Sequence, residues 1–576
     1  MRVFLFVYDN YYKCATVGLQ FICFCSIFTA ELTNKERVQK MSHADILTGA
    51  ELFDEREFEP EIDEEFDRFC ENDLKPLATE ALKYDELSEE IFDESVRIFQ
   101  RLGVHKFAIP NEYGGDQITA RMMTSFTRKV CRVPGAADLG LSVGAGNSLF
   151  TAPVFNFGTE ELKQLLAPEL LVGKYGCFAQ TEGEAGSHVS AIRAKAVLDK
   201  DGIWRITGTK RFITGGWKAN YALVPAISDP QMHQANEDTG MTVFVVDCDE
   251  ERVRGTLDTS KNEHKIGLTH SPTTEMVFDG TATLAILGPI HDGYRKVNLT
   301  TLGDSRGTVI AGQAVGIGES AYREALTYAK ERKAFGGSIY EKHAIKDGLL
   351  LDMEARNRIM WALTLQSCTL KDAFPKGDSR PYESQASLAK LICGEYVRNV
   401  ATKGLQIHGG NGYIRDYPIG RILNDSYITA IYEGTSQIQS MLVARKFLQV
   451  FQSGALNSGT EEVVKIWPFA GYNFEDINGW EGLATETGIF ERRERFLSDL
   501  NDIAFSGKFP IENFKNLPAP YFAITEAFGA LEGATIILAG RQYGVEEFSD
   551  VSDEVVKRAF AIADGELEQL ESTYLK

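Results

Sequence analysis

The spacing of apolar residues changes twice along this chain of 576 residues, and that double change limits the fold more than any other feature. Residues 50–175 read as helix. Segments 61–74 and 89–102 put apolar side chains three and four apart, with Ile91, Phe92, Val96, Ile98, Phe99 and Leu102 on one stripe. Pro110-Asn111-Glu112-Tyr113-Gly114-Gly115 is a turn, and Thr159 before Glu160-Glu161 is a helix cap. Residues 176–285 change character. Segments 195–198 and 203–207 flank Lys200-Asp201-Gly202, a hairpin signature, and 221–227, 242–246 and 274–278 are further strands. That region predicts a small antiparallel barrel or sandwich. The helical period returns from Val297. Ala314, Ile317, Gly318, Ala321, Tyr322, Ala325 and Ala329 trace one face, small enough for close helix contacts. Segments 346–370 and 382–405 continue as helix around a Pro375-Lys376-Gly377-Asp378 turn. Residues 455–520, with Gly459, Gly471, Gly479 and Pro518, read as irregular, and helices resume at 521–540 and 554–574.

A chain this long exceeds one compact core, so several domains are expected. The formal charge of −22 speaks against a nucleic-acid surface and against broad attachment to anionic lipid, but a local anion site remains open. Nine cysteines at 14, 23, 25, 70, 131, 177, 248, 368 and 393 show no metal-ligand spacing past residue 25, which predicts reduced, structural thiols. The apolar run 15–32 is short and interrupted for a membrane span. It reads as a secretory signal with basic Arg2 and Lys13, or as sequence preceding a true start at Met41; residues 1–40 are left out of the fold.

Four separated segments carry the chemistry. The first is Cys177-Phe178-Ala179-Gln180-Thr181-Glu182-Gly183-Glu184-Ala185-Gly186-Ser187-His188, and the second Lys210-Arg211-Phe212-Ile213-Thr214-Gly215-Gly216. The third is Glu331-Arg332-Lys333-Ala334-Phe335-Gly336. The fourth pairs Gln406-Ile407-His408-Gly409-Gly410-Asn411-Gly412 with Tyr432-Glu433-Gly434-Thr435-Ser436-Gln437. Each alone has a plainer reading: a glycine loop, a core phenylalanine in a strand, a solvated Arg-Lys pair, a surface glutamate. Glycine-bearing backbone can approach a polar cofactor or a phosphate closely, and the arginine fork pairs with phosphate oxygens.

In this order, over about residues 55–450, the segments resemble the acyl-CoA dehydrogenase family. The resemblance implies a multidomain α+β fold: an N-terminal helical domain (50–175), a central β-domain (176–285), a C-terminal four-helix bundle (290–455) and an additional helical domain (456–576) beyond a 1–40 extension. It implies FAD as cofactor. Phe178, Gln180, Thr181, Ser187, Phe212 and Thr214 would line the flavin, with Ser187 also near the ligand. Arg332, Phe335, Gln406, Gly409, Gly410, Thr435 and Gln437 would hold the cofactor across a dimer interface. Gly183, His188 and His343 depart from the family pattern, and many relatives carry tryptophan where Phe212 stands.

The implied reaction is α,β-dehydrogenation of an acyl-CoA thioester to the trans-2-enoyl-CoA, a step of fatty-acid β-oxidation. Glu433 is the general base, a hydride goes to flavin N5, and hydrogen bonds from the flavin ribityl hydroxyl and the Glu433 N–H steady the thioester oxygen. Some relatives carry their base near the segment matching Asp304-Ser305-Arg306-Gly307. No glutamate stands there, and Arg306 is expected in the substrate pocket. Electrons would pass to an electron-transferring flavoprotein. The alternatives are an acyl-CoA oxidase and a non-catalytic assembly or binding protein on the same scaffold. A homodimer or dimer of dimers is expected, cytoplasmic, or mitochondrial in a eukaryote. The acidic tail (Asp564-Gly565-Glu566-Leu567-Glu568) suits packing within a dimer better than a membrane.

Overall fold

The computed structural model describes residues 60–373, 382–452, 488–505, 519–542 and 548–575. The segment 1–40, the 375–378 turn, Gly459, Gly471, Gly479 and Pro518 lie outside the described residues. The chain opens with helices α1 (Pro60–Phe69), α2 (Lys75–Ala81), α3 (Glu89–Arg101), α4 (Ala120–Arg132), α5 (Leu141–Gly146), α6 (Ala152–Phe157) and α7 (Glu160–Leu171). Ser88, Thr119 and Thr159 cap α3, α4 and α7 by accepting from the N–H groups of Ile91, Met122 and Leu162. The apolar stripes close on Phe66, Phe69, Phe99, Phe107 and Phe126, whose ring centroids lie 4.7 to 6.1 Å apart.

A single eight-stranded sheet follows, built from β1 (Gly176–Phe178), β2 (Lys195–Leu198), β3 (Trp204–Thr214), β4 (Tyr221–Ile227), β5 (Met241–Asp247), β6 (Leu257–Asn262), β7 (Thr273–Ala282) and β8 (Ala285–Leu287). Short helices α8 (Pro230–Ala235) and α9 (Cys248–Arg254) follow β4 and β5. The order is β6-β7-β3-β2-β4-β5-β8, with β1 beside β4. The sheet is mostly antiparallel, as expected, but β1 and β2 both join β4 in parallel. The hairpin β2–β3 stands where the sequence put it, with Gly202 at φ 78° in its turn.

The second helical layer comprises α10 (Leu299–Ser305), α11 (Ala311–Glu331), a two-stranded hairpin (β9, Lys333–Ala334; β10, Gly337–Ser338), α12 (Leu351–Ala373), α13 (Glu383–His408), α14 (Ile419–Tyr427) and α15 (Ser436–Gln452). Helix α13 packs against α11, α12 and α15, and α11 also packs on α4. The small face of α11 is what lets it sit so close. A Cβ on Gly316 would stand 2.5 Å from the Arg128 carbonyl of α4, and one on Gly318 2.4 Å from Asn357 Oδ1 of α12.

Helices α16 (Ile489–Phe505), α17 (Ala519–Gln542) and α18 (Asp553–Leu570) form the tail. Helix α16 corrects the irregular reading of residues 455–520. Its buried Ile489, Phe496, Leu500 and Ile503 are helically spaced, but Glu491 to Glu494 masks the stripe with charge. The tail packs on the chain's own bundle. Gly529 and Gly533 of α17 approach Ile392 and Ile359, Gln366 Nε2 donates to Glu532 Oε1 at 2.8 Å, and Arg558 pairs with Asp352 at 2.9 Å. Cys70, Cys131, Cys177, Cys248, Cys368 and Cys393 are free and buried, as their spacing predicts.

Candidate active site

The turn between α14 and α15 holds Glu433 in the left-handed region, at φ 52°, followed by Gly434 at φ 102°. That conformation costs a glutamate about 1–2 kcal/mol, so something must hold it. Three side chains do so through the two carbonyls of the turn. Arg306 Nε donates to the Glu433 carbonyl at 3.0 Å, Lys390 Nζ to the Gly434 carbonyl at 2.6 Å, and Gln439 Nε2 to both at 3.1 Å. Arg306 opens a π-helical turn, Arg306–Ile310, between α10 and α11, and it is buried.

The carboxylate itself meets Ser305, whose Oγ donates to Oε1 at 3.0 Å. The residue is half-buried, but Oε2 is sealed from solvent and makes no hydrogen bond within the chain. Burial pushes the carboxyl up from 4.5 to about 7, against the pull of Arg306, the Ser305 hydrogen bond, Lys390 and Lys371. A carboxyl poised there is half ionised at neutral pH and can take or return a proton.

The first two segments meet each other in the sheet. Arg211 N–H donates to the Thr181 carbonyl at 2.8 Å. Lys210 is fully buried, and its Nζ donates to the Gln180 carbonyl at 3.2 Å and to Glu182 Oε1 at 2.7 Å. Glu182 in turn accepts from the N–H groups of Arg193 and Ala194, so one ion pair braces the whole loop. Phe212 is left-handed at φ 59° where the β3–β7 register shifts, and it is 55% exposed. A core role for this ring is thereby excluded. Thr181 and Thr214 are half-buried, Ser187 is exposed and Phe178 is buried. The Gln180 side chain turns away to accept from Asn298 Nδ2 at 2.6 Å. Asn298 leads directly into α10, whose seven residues end at Ser305. The β-segment and the Glu433 carboxylate are therefore separated along α10 by about 10 Å.

The remaining predicted residues gather elsewhere. Arg332, Phe335, Gln406, Gly409 and Gly410 are all exposed, Phe335 by 93%. They sit together at the far ends of α11 and α13, where Tyr328 stacks on His408 at 4.3 Å and accepts from Asn411 Nδ2 at 3.0 Å. Helix α11 spans 21 residues, so this group lies about 30 Å from Arg306. Thr435 and Gln437 stay beside Glu433, half-buried and exposed respectively. His343 is exposed and pairs with Asp347.

Glycine positions test whether a large polar cofactor fits. A Cβ on Gly183, Gly186, Gly336, Gly409 or Gly410 would meet nothing within 4 Å. Gly336 and Gly409 sit at φ 84° and 58°, where backbone conformation alone favours glycine, whereas neither packing nor a positive φ calls for glycine at Gly183, Gly186 or Gly410. The backbone at those three is open to close approach by a group such as a cofactor phosphate.

Sequence reading passed over Lys390, Ser305, Gln439 and the Lys210–Glu182 pair. The available signal for Lys390 was its setting, since Leu388, Ala389, Leu391 and Ile392 flank it in an apolar run within α13.

Family models for the acyl-CoA dehydrogenase N-terminal, middle and C-terminal domains match residues 56–174, 177–281 and 292–448. The mitochondrial short-chain specific acyl-CoA dehydrogenase of Bos taurus is 32% identical over 389 residues, 67% of this chain and 89% of that protein. The solved butyryl-CoA dehydrogenase of Megasphaera elsdenii is 29% identical at a TM-score of 0.60, covering 67% of this chain and 98% of that one. An acyl-CoA dehydrogenase from Bacillus anthracis, solved with FAD, is alike in fold at 21% identity and a TM-score of 0.64. It covers 91% of this chain, so the likeness extends into the tail, and 98% of its own.

Proposed function

The chain belongs to the acyl-CoA dehydrogenase family, and from that premise we propose that Glu433 is the general base of an FAD-dependent α,β-dehydrogenation of an acyl-CoA thioester. The observation that carries the assignment is the Glu433 carboxyl: left-handed, sealed at Oε2, and pushed up to about 7. The α-proton of a thioester is a weak acid in water. Its removal needs a base that is ionised at working pH yet basic enough to hold the proton afterwards. Burial makes Glu433 basic, and Ser305 and Arg306 keep it within reach of ionisation.

FAD, when bound, supplies the two-electron acceptor for the second hydrogen. Phe178, Gln180, Thr181, Ser187, Phe212 and Thr214 would shape its flavin site. Asn298 holds the Gln180 side-chain carbonyl, which leaves the buried Gln180 Nε2 as a donor without a partner in the chain. Arg332, Phe335, Gln406, Gly409 and Gly410 lie too far from Glu433 to serve the same flavin ring. Their exposure supports a homodimer in which they reach the cofactor of the second copy, with Thr435 and Gln437 near its adenine end. Arg306 supports the turn from behind and would border the substrate. The relatives named above are dehydrogenases, which favours an electron-transferring flavoprotein as acceptor over oxygen.

Anaerobic addition of acyl-CoA esters, from short to very long and branched, tests the reading. Bleaching of the flavin by at least one ester is expected. Slow reoxidation in air, with fast reoxidation by an electron-transferring flavoprotein, would separate dehydrogenase from oxidase. Bound flavin that no ester bleaches would overturn the assignment in favour of a non-catalytic protein.

A further inference from the structure

Lys390 occupies an unusual place for a lysine. It lies in the middle of α13, is 1% exposed, and its Nζ reaches the Gly434 carbonyl at 2.6 Å. No salt bridge to Glu433 accompanies this contact; the lysine grips the peptide next to the base and not the carboxylate itself. Burying an ammonium is costly, and mid-helix lysines are almost always solvated. A neutral side chain of similar length would fill the same space without that cost.

The charged groups around it suggest what offsets the cost. Glu433 faces it from the turn, Arg306 from the start of the π-helical segment, and Arg398 from two turns along its own helix. Glu433 in turn faces Arg306, Lys371 of α12 and Lys390. Of these, only the glutamate favours the ammonium form. Burial brings Lys390 down to about 7 against the pull of Glu433, so its charge is present on the acid side of neutrality and fades above it.

We infer that Lys390 is a positioning residue for the catalytic base: it clamps the left-handed turn through the Gly434 carbonyl, and on the acid limb of the rate profile its positive charge favours the ionised Glu433 carboxylate. This rests on the reading of Glu433 as base. Arg306 does the same for the neighbouring carbonyl, so the turn is held by a cation from each side, one on α13 and one at the α10–α11 junction.

The test is the acid limb of the anaerobic flavin-bleaching rate, recorded with a saturating acyl-CoA between pH 5.5 and 9, for the wild type and for Lys390→Met and Lys390→Gln. Visible spectra of the purified holoenzymes report flavin retention. In both variants the midpoint of the limb should rise by about one pH unit, which cuts the rate about tenfold at pH 6 while leaving the plateau at high pH within a few-fold. Gln keeps a donor for the Gly434 carbonyl, so a larger plateau loss in Met than in Gln reads out the clamp separately from the charge. An unmoved midpoint in flavin-loaded variants would overturn the inference alone. Loss of flavin from both variants would make Lys390 a folding residue and overturn it too. If the wild type itself is not bleached, the assignment of Glu433 as base fails first, and this inference with it.

Discussion

Replacing Glu433 with glutamine should disable the enzyme and stabilise the fold, and the second effect should depend on pH. The carboxyl moves from 4.5 to about 7 on folding, chiefly because burial disfavours its charge. At about 1.4 kcal/mol per tenfold change in proton affinity, this amounts to about 3 kcal/mol. Below pH 4.5 folded and unfolded chains both hold the proton, and the site costs nothing. Between 4.5 and about 7 the unfolded chain releases it while the folded chain keeps it, so stability at this site falls as pH rises. Above about 7 both are ionised and the folded chain carries the full cost. Glutamine has nearly the same shape and no charge. It still accepts from Ser305 Oγ through its carbonyl. The variant should therefore exceed the wild type by under about 1 kcal/mol near pH 5 and by up to about 3 kcal/mol near pH 8, less what Lys390 loses without its opposite charge. Thermal melts of holoenzyme at the two pH values measure this as a Tm difference that opens with pH. Over the same range flavin bleaching by acyl-CoA should fall about 10²- to 10⁴-fold, the share usually due to a general base. A gap of equal size at pH 5 and pH 8 would refute the claim that the carboxyl is buried and raised. Undiminished bleaching would refute its role.

Removing the Ser305 hydroxyl should tighten the carboxyl's hold on its proton. Ser305→Ala deletes the hydrogen bond to Oε1, so the carboxyl rises further and the acid limb of the bleaching rate moves to higher pH, with the flavin still bound. Lys210→Met should leave Glu182 buried beside Gln180 and Thr181 with no counter-charge, a loss on the order of 3–5 kcal/mol. It should appear as weaker FAD retention on gel filtration; full retention would mean the pair does not brace the loop.

The fold was legible wherever one period dominated a segment. Strand β4 is an unbroken apolar run, Tyr221–Ile227, and it is buried at every position. The small face of α11 announced a close helix contact, and Gly316 and Gly318 make it. Strand β6 was not legible because Leu-Asp-Thr-Ser-Lys-Asn offers one large apolar residue, and its place in the sheet comes from pairing with β7. Helix α16 was hidden by its own charges. In the site, Glu433 could be found from its short motif. Its surroundings could not, since a serine before an arginine and a lysine inside a helix have solvent-facing readings that only the packing of α10, α13 and the turn removes. Phe212 is exposed for an unforeseen reason: a register shift in the sheet, not strand alternation, aims it outward.

The arrangement around Glu433 solves a problem that neither burial nor charge can solve alone. A carboxylate in water near 4.5 is too weak a base for a carbon acid. One buried without help would stay protonated through neutral pH and abstract nothing. Burial sets the direction, and Arg306, Ser305, Lys390 and Lys371 set how far it goes. Of these, Arg306 and Lys390 also hold the turn through its carbonyls, so the groups that shift the Glu433 carboxyl are the groups that fix its backbone. Backbone strain at φ 52° follows from the same design. In this conformation the Glu433 and Gly434 carbonyls accept from the two cations. Geometry and proton affinity are thus coupled through two side chains, and a change in either should register in the pH profile before it registers in the fold.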